Sequence, residues 1–432
     1  MYKNIRNYFL AALLFLPLAV GAQNSSINTF SPYTFYGLGD IETQGTAASR
    51  SMGGVGIAYW SHSETNVLNP AAYSAAMKNS FLLSIGMAGK QSYLKSSSAK
   101  TADNGFNMSD VTLQVPIYKG IGVGASVTPL TTVGYRIHRM ETDPGLLTDV
   151  GSIKYTYRGE GGITQFKAGI GVQVYQGLSL GADFIYYLGT ITRYFGNEIT
   201  PITSNDAYSN ITIRTQEEIS KVLFGVGLQY DIIRKPEKLL TVGATFQPKT
   251  KFTGKNISET ASSRTSDSIS YSETRWPITL PSKYGAGVYY RTEKLGIGLD
   301  YTYQDWGSSF GLSESEEMNM TLRAMQSFNF GVQYTPNRLD VRSRFKRWTY
   351  RAGFRYVDTY LESNGKGISD MALTLGIGMP MKMASFSYVN LGLEIGQRGT
   401  TSRGLVRENY FKVFLGISLF GDDGWFVKRK YN

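Results

Sequence analysis

Most of the chain after residue 80 repeats one pattern, in which apolar residues alternate with small or polar ones and turn residues follow. In the stretch LTLGIGM, Leu373, Leu375 and Ile377 share one face, while threonine and glycines occupy the other. Strands alternate in this way when one face is apolar and the other is wet. The pattern predicts about fourteen strands, near 81–94, 108–118, 121–138, 152–174, 178–194, 208–231, 239–253, 282–292, 295–306, 322–335, 347–359, 367–379, 384–397 and 407–420.

The connections between these strands alternate as well. Those after even-numbered strands are mostly short, such as KG and YQG, and those after odd-numbered strands are mostly longer and polar, such as FTGKNISETASSRTSDSISYSETRWPITLP. Outer-membrane barrels have short periplasmic turns and longer outer loops. The sequence therefore predicts an all-β, fourteen-stranded antiparallel transmembrane barrel with both termini in the periplasm. Turns at 159–162 and 215–220 would give sixteen strands, and a soluble β-sandwich or solenoid is the alternative fold.

Targeting signals and composition agree with export. Residues 1–22 combine Lys3 and Arg6, an apolar run and a Val-Gly-Ala site, which is typical of a signal peptide. The chain has no cysteine, so thiolate metal sites and disulfides are excluded. The net charge of +11 would suit nucleic acid, but export argues against that partner and favours anionic lipid.

Candidate chemistry is sparse. The chain has two histidines, and His138 lies near Glu141 and Asp143, but no nucleophile is placed beside it. His62 offers no better catalytic arrangement. We therefore predict a protein that is not an enzyme and has no catalytic residue, metal site or cofactor.

Two short motifs precede the first predicted strand. Residues 51–58 read SMGGVGIA, and Asn69, Pro70 and Ala71 follow. Ahead of a fourteen-strand barrel, these motifs resemble the FadL-like outer-membrane transporter family, in particular its Bacteroidota relatives. The resemblance implies that the segment folds into the lumen as a plug and that the Asn-Pro-Ala element packs there. It covers nearly the whole mature chain as architecture, whereas the motifs occupy only the plug and the WFVKRK ending.

Physical argument agrees with a plug, because fourteen strands enclose a lumen too wide for their own side chains to fill. Gly53, Gly54 and Gly56 permit close backbone approach or a positive φ, and Pro70 fixes a turn. A disordered periplasmic linker is the alternative. The predicted divisions are a signal peptide (1–22), a plug (23–79), a transmembrane barrel (80–420) and a periplasmic tail (421–432).

Charged residues occur on the inward faces of the predicted strands. Buried charges must be paired, so they can hold plug and wall together. Alternatively, Arg351, Arg355 or Lys412 can bind the carboxylate of an amphipathic ligand. The predicted lumen charges are Lys167, Asp183, Asp300, Arg351, Arg355, Glu394 and Lys412.

Basic residues also gather at the periplasmic ends of the strands, in a turn at 234–238, in a turn at 338–347 and in the tail. Attraction to anionic headgroups would explain them. The second turn also carries apolar residues, which favours a docking surface for an acidic periplasmic partner. The predicted docking residues are Arg338, Leu339, Val341, Arg342, Arg344, Phe345, Lys346 and Arg347.

These observations predict a protein of the cell outer membrane whose partners include membrane lipids. Its predicted function is transport of hydrophobic or amphipathic small molecules similar to long-chain fatty acids. The alternative is a FadL-like barrel that transports nothing and serves as a subunit of a secretion or barrel-assembly complex, with periplasmic or outer-membrane protein partners.

Overall fold

The computed structural model describes residues 30–421 except 79, 98, 203–207, 236, 264–267, 310–319, 364 and 382–385. The predicted signal peptide lies outside the described residues, and so does the predicted tail after Gly421, with Lys428, Arg429 and Lys430. Within the described ranges, no helix is both long and apolar enough to cross a membrane.

The strands form one antiparallel sheet that closes on itself, because the last strand pairs along its length with the second. The strands are β1 (Asp40–Ile41), β2 (Phe81–Lys95), β3 (Lys100–Tyr118), β4 (Ile121–Met140), β5 (Gly151–Tyr175), β6 (Leu178–Pro201), β7 (Ile211–Lys235), β8 (Lys238–Gln247), β9 (Thr250–Ser262), β10 (Ser268–Leu280), β11 (Lys283–Thr292), β12 (Leu295–Asp305), β13 (Met320–Leu322), β14 (Ala324–Tyr334), β15 (Thr349–Ser363), β16 (Lys366–Pro380), β17 (Tyr388–Arg398) and β18 (Arg407–Gly421).

The closed ring has fourteen strands, as predicted. β8 and β9 are two parts of one ring strand, and β10 and β11 are two parts of the next. β9 pairs with β10, and β8 pairs with β11. β13 continues β14 after a break at Arg323, and β1 belongs to the segment that precedes the ring. Residues 159–162 and 215–220 lie inside β5 and β7, so the sixteen-strand alternative is wrong.

The prediction of a long loop after β8 is wrong, because most of those residues form a hairpin in which β9 pairs with β10. β3 also begins earlier than predicted, at Lys100. Both differences have the same cause. Strand residues beyond the bilayer have water on both faces, so they lack the alternation by which strands were recognised.

Inside the bilayer the predicted alternation is confirmed. Leu373 and Leu375 are exposed, whereas Thr374 between them is buried against the lumen. A closed antiparallel barrel with such an apolar outer face belongs in the outer membrane. The other large exposed apolar side chains on the strands include Leu113, Phe166, Ile170, Phe184, Phe224, Leu299, Phe330, Leu393, Ile395 and Leu415.

Candidate functional site: the N-terminal segment, the lumen and the periplasmic face

The described part of the N-terminal segment, residues 30–78, lies inside the ring. It contains two 3-10 helices, Pro32–Phe35 and Pro70–Ala75, and the α-helix Ala47–Arg50. Most of its apolar side chains are buried, and Val55 is fully inaccessible to solvent. Between residues 47 and 73 its contacts pass in order from β18 round to β4. The segment therefore follows the inner wall around most of the ring.

The segment packs against inward-facing glycines of the wall. A Cβ at Gly331 would contact Met52, and one at Gly227 would contact Asn69 and Pro70. Only glycine permits such close backbone approach. We call this set the glycine girdle; it comprises Gly122, Gly171, Gly181, Gly227, Gly243, Gly287, Gly298, Gly331, Gly353, Gly376, Gly392 and Gly416.

The glycines of the SMGGVGIA motif do what the sequence suggested. Gly53 and Gly54 have φ of 69° and 86°, in the left-handed region. The Gly53 N–H donates to Thr374 Oγ1 at 2.9 Å. The N–H groups of Gly56 and Ile57 donate to the carboxylate of Asp300 at 2.6 and 2.8 Å.

The Asn-Pro-Ala element joins two parts of the segment to the wall. The Asn69 side chain accepts a hydrogen bond from the Ala71 N–H at 3.0 Å and so caps the helix that Pro70 begins. Its Nδ2 donates to the carbonyls of Ile57 at 2.8 Å and Leu228 at 3.0 Å. Asn69 is completely buried, and these bonds satisfy its side-chain amide.

One group of predicted lumen charges forms a buried cluster between β15 and β18. Arg355 Nη2 donates to Glu394 at 2.8 Å, and Lys412 Nζ lies 3.9 Å from Glu394 and from Glu42 of the segment. Arg398 bridges Asp40 of the segment at 2.7 Å and Asp370 of the wall at 3.2 Å. We call this set the ion-pair network; it comprises Asp40, Glu42, Lys90, Arg355, Asp370, Glu394, Arg398, Glu408 and Lys412.

The remaining predicted lumen charges lie apart from this network. Arg351 donates to Glu64 of the segment and to Asn390, each at 2.8 Å. Lys167 donates to the Val67 carbonyl at 3.3 Å. Asp183 is buried on β6 opposite Gly169. Each of the predicted basic residues thus contacts the segment or an acidic residue of the wall.

Sequence reasoning missed Asp370, Arg398 and Glu408, although a signal for them existed. Each lies an even number of positions from an inward residue, so it shares that residue's face: Arg398 follows Glu394, and Glu408 precedes Lys412. Asp40 and Glu42 had no such signal, because alternation does not extend into the segment.

Backbone pairing in the described wall is interrupted beside β3 and in the middle of β7. The β3–β4 ladder ends at the pair Val111–Val127, and beyond it β1 pairs with β4 at residues 131–132. The segment therefore occupies part of the edge that β3 leaves free. Residues 219–225 of β7 pair with β6 alone, because β8 reaches only to Val226 and β9 only to Glu218.

At the short-turn end, residues 335–348 connect β14 to β15, and we call them the periplasmic turn. Its backbone is held by the Asn337 N–H, which donates to the Lys346 carbonyl at 2.8 Å. The Asp340 carboxylate accepts from the N–H groups of Ser343 at 2.7 Å and Arg342 at 2.9 Å. These bonds hold the pKa of Asp340 below its usual value, and the bond from the Ser343 N–H has the largest effect. The turn is an ordered structure.

All the predicted docking residues lie on this turn. Leu339, Val341 and Phe345 are 67%, 76% and 64% exposed, although all three are apolar. Phe345 packs edge-on against Trp348, and Arg338 lies 3.7 Å above the ring of Phe386. The turn also carries the α-helix Arg344–Arg347, which contributes three basic side chains. Apolar and positive groups are thus exposed together on this turn.

The two histidines make hydrogen bonds of ordinary kinds. His138 Nδ1 lies 3.1 Å from Thr156 Oγ1, and His62 Nδ1 lies 2.5 Å from the Ala75 carbonyl. Among the residues with described positions, no group of three His, Asp or Glu side chains could hold a metal ion. The absence of an enzymatic activity stays a prediction.

Comparison with known proteins decides the family. A family model described as BamG matches residues 1–432, which is the whole chain. The chain belongs to the BamG family. None of the curated proteins matches this BamG chain.

Solved structures share the fold of this BamG barrel. A FadL homologue from Pseudomonas aeruginosa is similar with a TM-score of 0.57 and 13% identity, covering 89% of this chain and 100% of that one. The toluene transporter TodX of P. putida gives 0.55 and 14%, covering 88% and 98%. The toluene transporter TbuX of Ralstonia pickettii gives 0.53 and 15%, covering 87% and 98%. The predicted FadL-like architecture is thereby confirmed, and the fold is one that outer-membrane hydrocarbon transporters use.

Proposed function

We propose that this protein is a subunit of an outer-membrane barrel-assembly complex, in which its barrel anchors a docking surface in the membrane. The observation that carries the proposal is the periplasmic turn, where three apolar side chains more than 60% exposed stand on an ordered backbone. Exposed apolar groups among polar ones mark protein interaction sites. The family name, BamG, agrees with this role.

The interior of the barrel supports the same proposal. The segment is held by backbone contacts around the glycine girdle and by the ion-pair network. A group that must move to let a substrate pass would break several buried ion pairs at once, and each costs about 3–5 kcal/mol when one partner is left alone. We therefore expect the segment to stay in place as a plug while the protein works.

Purification from native membranes in mild detergent tests the proposal. Wild-type protein should retain stoichiometric protein partners, and the variant Leu339→Ser/Val341→Ser/Phe345→Ser should lose them, because the apolar contacts hold the complex. The matched control is Leu146→Ser/Leu147→Ser, which removes exposed apolar residues from the short helix Pro144–Asp149 at the opposite end. Partners that survive in the turn variant, or none in the wild type, would contradict docking through this turn.

Transport of a hydrophobic or amphipathic small molecule is the second candidate. It is favoured by the fold and by a large apolar cluster that packs inside the ring, beside the part of β7 that lacks a second partner strand. Ile219 and Leu223 of that part are both buried in the cluster. A route between lumen and lipid would begin there.

Liposomes loaded with the protein test the transport candidate. A transporter should speed the entry of a fluorescent long-chain fatty acid over protein-free liposomes, and Lys412→Gln should slow it if Lys412 binds the carboxylate. Entry at the rate of protein-free liposomes would contradict transport. Among the predicted anchors, substitution of Lys412 should disturb the ion-pair network least, because both its ion pairs are as long as 3.9 Å.

A further inference from the structure

A cavity of about 630 Å³ opens at the periplasmic end of the lumen. Its inner side is formed by residues 59–64 of the N-terminal segment, and its rim by the ends of β7, β8, β11, β12 and β14 with their turns. Trp60 and Tyr388 give it aromatic surface. We call it the vestibule. Its volume falls within the range of ligand sites in proteins, about 300–1,000 Å³.

The vestibule has an excess of positive charge, with six basic and three acidic side chains. Glu64 is already occupied, because it accepts hydrogen bonds from Arg351 and from the hydroxyl of Tyr59. Burial lowers the pKa of His62, so this histidine is neutral near pH 7 and adds no charge. The basic residues are Arg234, Lys235, Lys238, Arg291, Lys294 and Arg338.

Three of these cations are free for a ligand. In the part of the chain that the structure describes, Lys235, Lys238 and Lys294 have no carboxylate within 4.0 Å, whereas Arg234 reaches Asp231 only at 4.0 Å. All three lysines are exposed to solvent at the rim. The arrangement differs from the ion-pair network, in which the positive charges are matched by carboxylates. The rim also carries Glu237 and Glu293, but basic residues outnumber them, and a net positive rim around a concave site fits an anionic ligand.

We propose that the vestibule binds an extended acidic peptide segment of a periplasmic partner. Trp60 and Tyr388 line the vestibule but are only 9% and 5% exposed, so they add a small apolar contact and charge carries the recognition. The inner side of the site is formed by residues 59–64 inside the ring, whereas lipid headgroups lie outside the ring, so lipid is disfavoured as the occupant. The chain's own tail is disfavoured as the occupant, because its two acidic residues, Asp422 and Asp423, are outnumbered by Lys428, Arg429 and Lys430.

The inference rests on the proposed docking role and gives it a second contact. Arg338 belongs to the periplasmic turn and also lines the vestibule. A partner held by the apolar side chains of the turn therefore has the vestibule within reach. Charge would guide the acidic segment to the rim, and the turn would supply the apolar contacts.

Fluorescence anisotropy of a labelled hexaglutamate peptide, with the full-length protein in nonionic detergent, tests the inference. The variant Lys235→Gln/Lys238→Gln/Lys294→Gln should bind the peptide about tenfold more weakly, because it loses three exposed ion pairs with the peptide. The control Arg342→Gln/Arg344→Gln/Lys346→Gln removes the same charge from the turn outside the vestibule and should change binding less than about twofold. Salt at about 1 M should abolish binding.

Three outcomes would overturn the inference: equal weakening in both variants, unchanged binding in the vestibule variant, or displacement of the peptide by phosphatidylglycerol micelles but not by phosphatidylcholine micelles. The last would identify lipid as the occupant. Failure of the docking role is seen separately, because loss of partners is measured with the serine variant of the turn, which keeps every vestibule lysine. If the turn variant retains its partners while the vestibule binds the peptide selectively, the docking role of the turn is refuted and the vestibule inference stands.

Discussion

The lumen and the periplasmic turn of this protein use the same residue types in opposite ways. In the ion-pair network of the lumen, arginine and lysine lie within 4.0 Å of carboxylates, and Val55 and Ala58 of the segment are fully buried. On the turn, apolar side chains such as Val341 are exposed, and Lys346 approaches Asp340 only at 3.7 Å on the surface.

The difference separates groups that hold the protein together from groups that are available to other molecules. Buried ion pairs between wall and segment fix the position of the segment, because an unpaired charge in the lumen costs several kcal/mol. Exposed apolar side chains on an ordered turn gain free energy only when something covers them. On this contrast we propose that the interior serves structure and that the periplasmic turn serves binding.

Deletion of residues 23–79 should have the largest effect on this contrast. The fourteen-strand ring is paired by residues from 81 to 421, so it should still insert, and it should then be an open pore. Planar-bilayer conductance should change from near zero in the intact protein to large currents in the shortened one. Similar conductance of the two proteins would refute the claim that the segment closes the lumen.

Two arginine substitutions compare a lumen ion pair with a surface one. Arg398→Met leaves Asp40 and Asp370 without this partner, and should lower the free energy of unfolding in detergent by about 3–5 kcal/mol. Arg214→Met removes a pair with Glu259 whose side chains are 40% and 37% exposed, and should cost about 0–1 kcal/mol. Equal losses for the two variants would mean that the network does not fix the segment.

A smaller effect is expected when the glycine girdle is altered. Gly181→Val places a side chain against the Pro70 backbone and should destabilise the packed segment by about 1–3 kcal/mol. The control is Gly196→Val on the same strand, where the nearest atoms to a Cβ lie 3.7 Å away. Limited proteolysis should cut within residues 30–78 sooner in Gly181→Val than in the control. Identical cleavage would show that the girdle does not hold the segment.

The ring was predictable because lipid and lumen impose opposite polarity on successive residues of each strand. The same rule explains the failure at β9 and β10, which lie where both faces meet water, so strands such as Thr250–Ser262 looked like a loop. The predicted number of strands is still correct, because β9 and β10 extend the ring strands formed by β8 and β11 and do not add new strands to the ring.

The site was predictable only in part. Inward register placed Arg355 and Glu394 on the lumen face, and the structure adds that they bond to each other. The partners of Arg398 depend on the stagger of neighbouring strands and on the path of the segment. Neither can be predicted from the alternation of residues along one strand. The glycine girdle was visible as small residues opposite apolar ones, but its contacts required the segment's course.

The most direct test of the account is a photo-crosslinking amino acid placed at Val341, followed by irradiation of living cells. Val341 is 76% exposed on the periplasmic turn, and Leu146, 42% exposed near the opposite end, is the matched control position. The account predicts discrete crosslinked protein bands from Val341 and none from Leu146. Lipid adducts alone at Val341, or the same protein bands from both positions, would contradict a docking surface on the periplasmic turn.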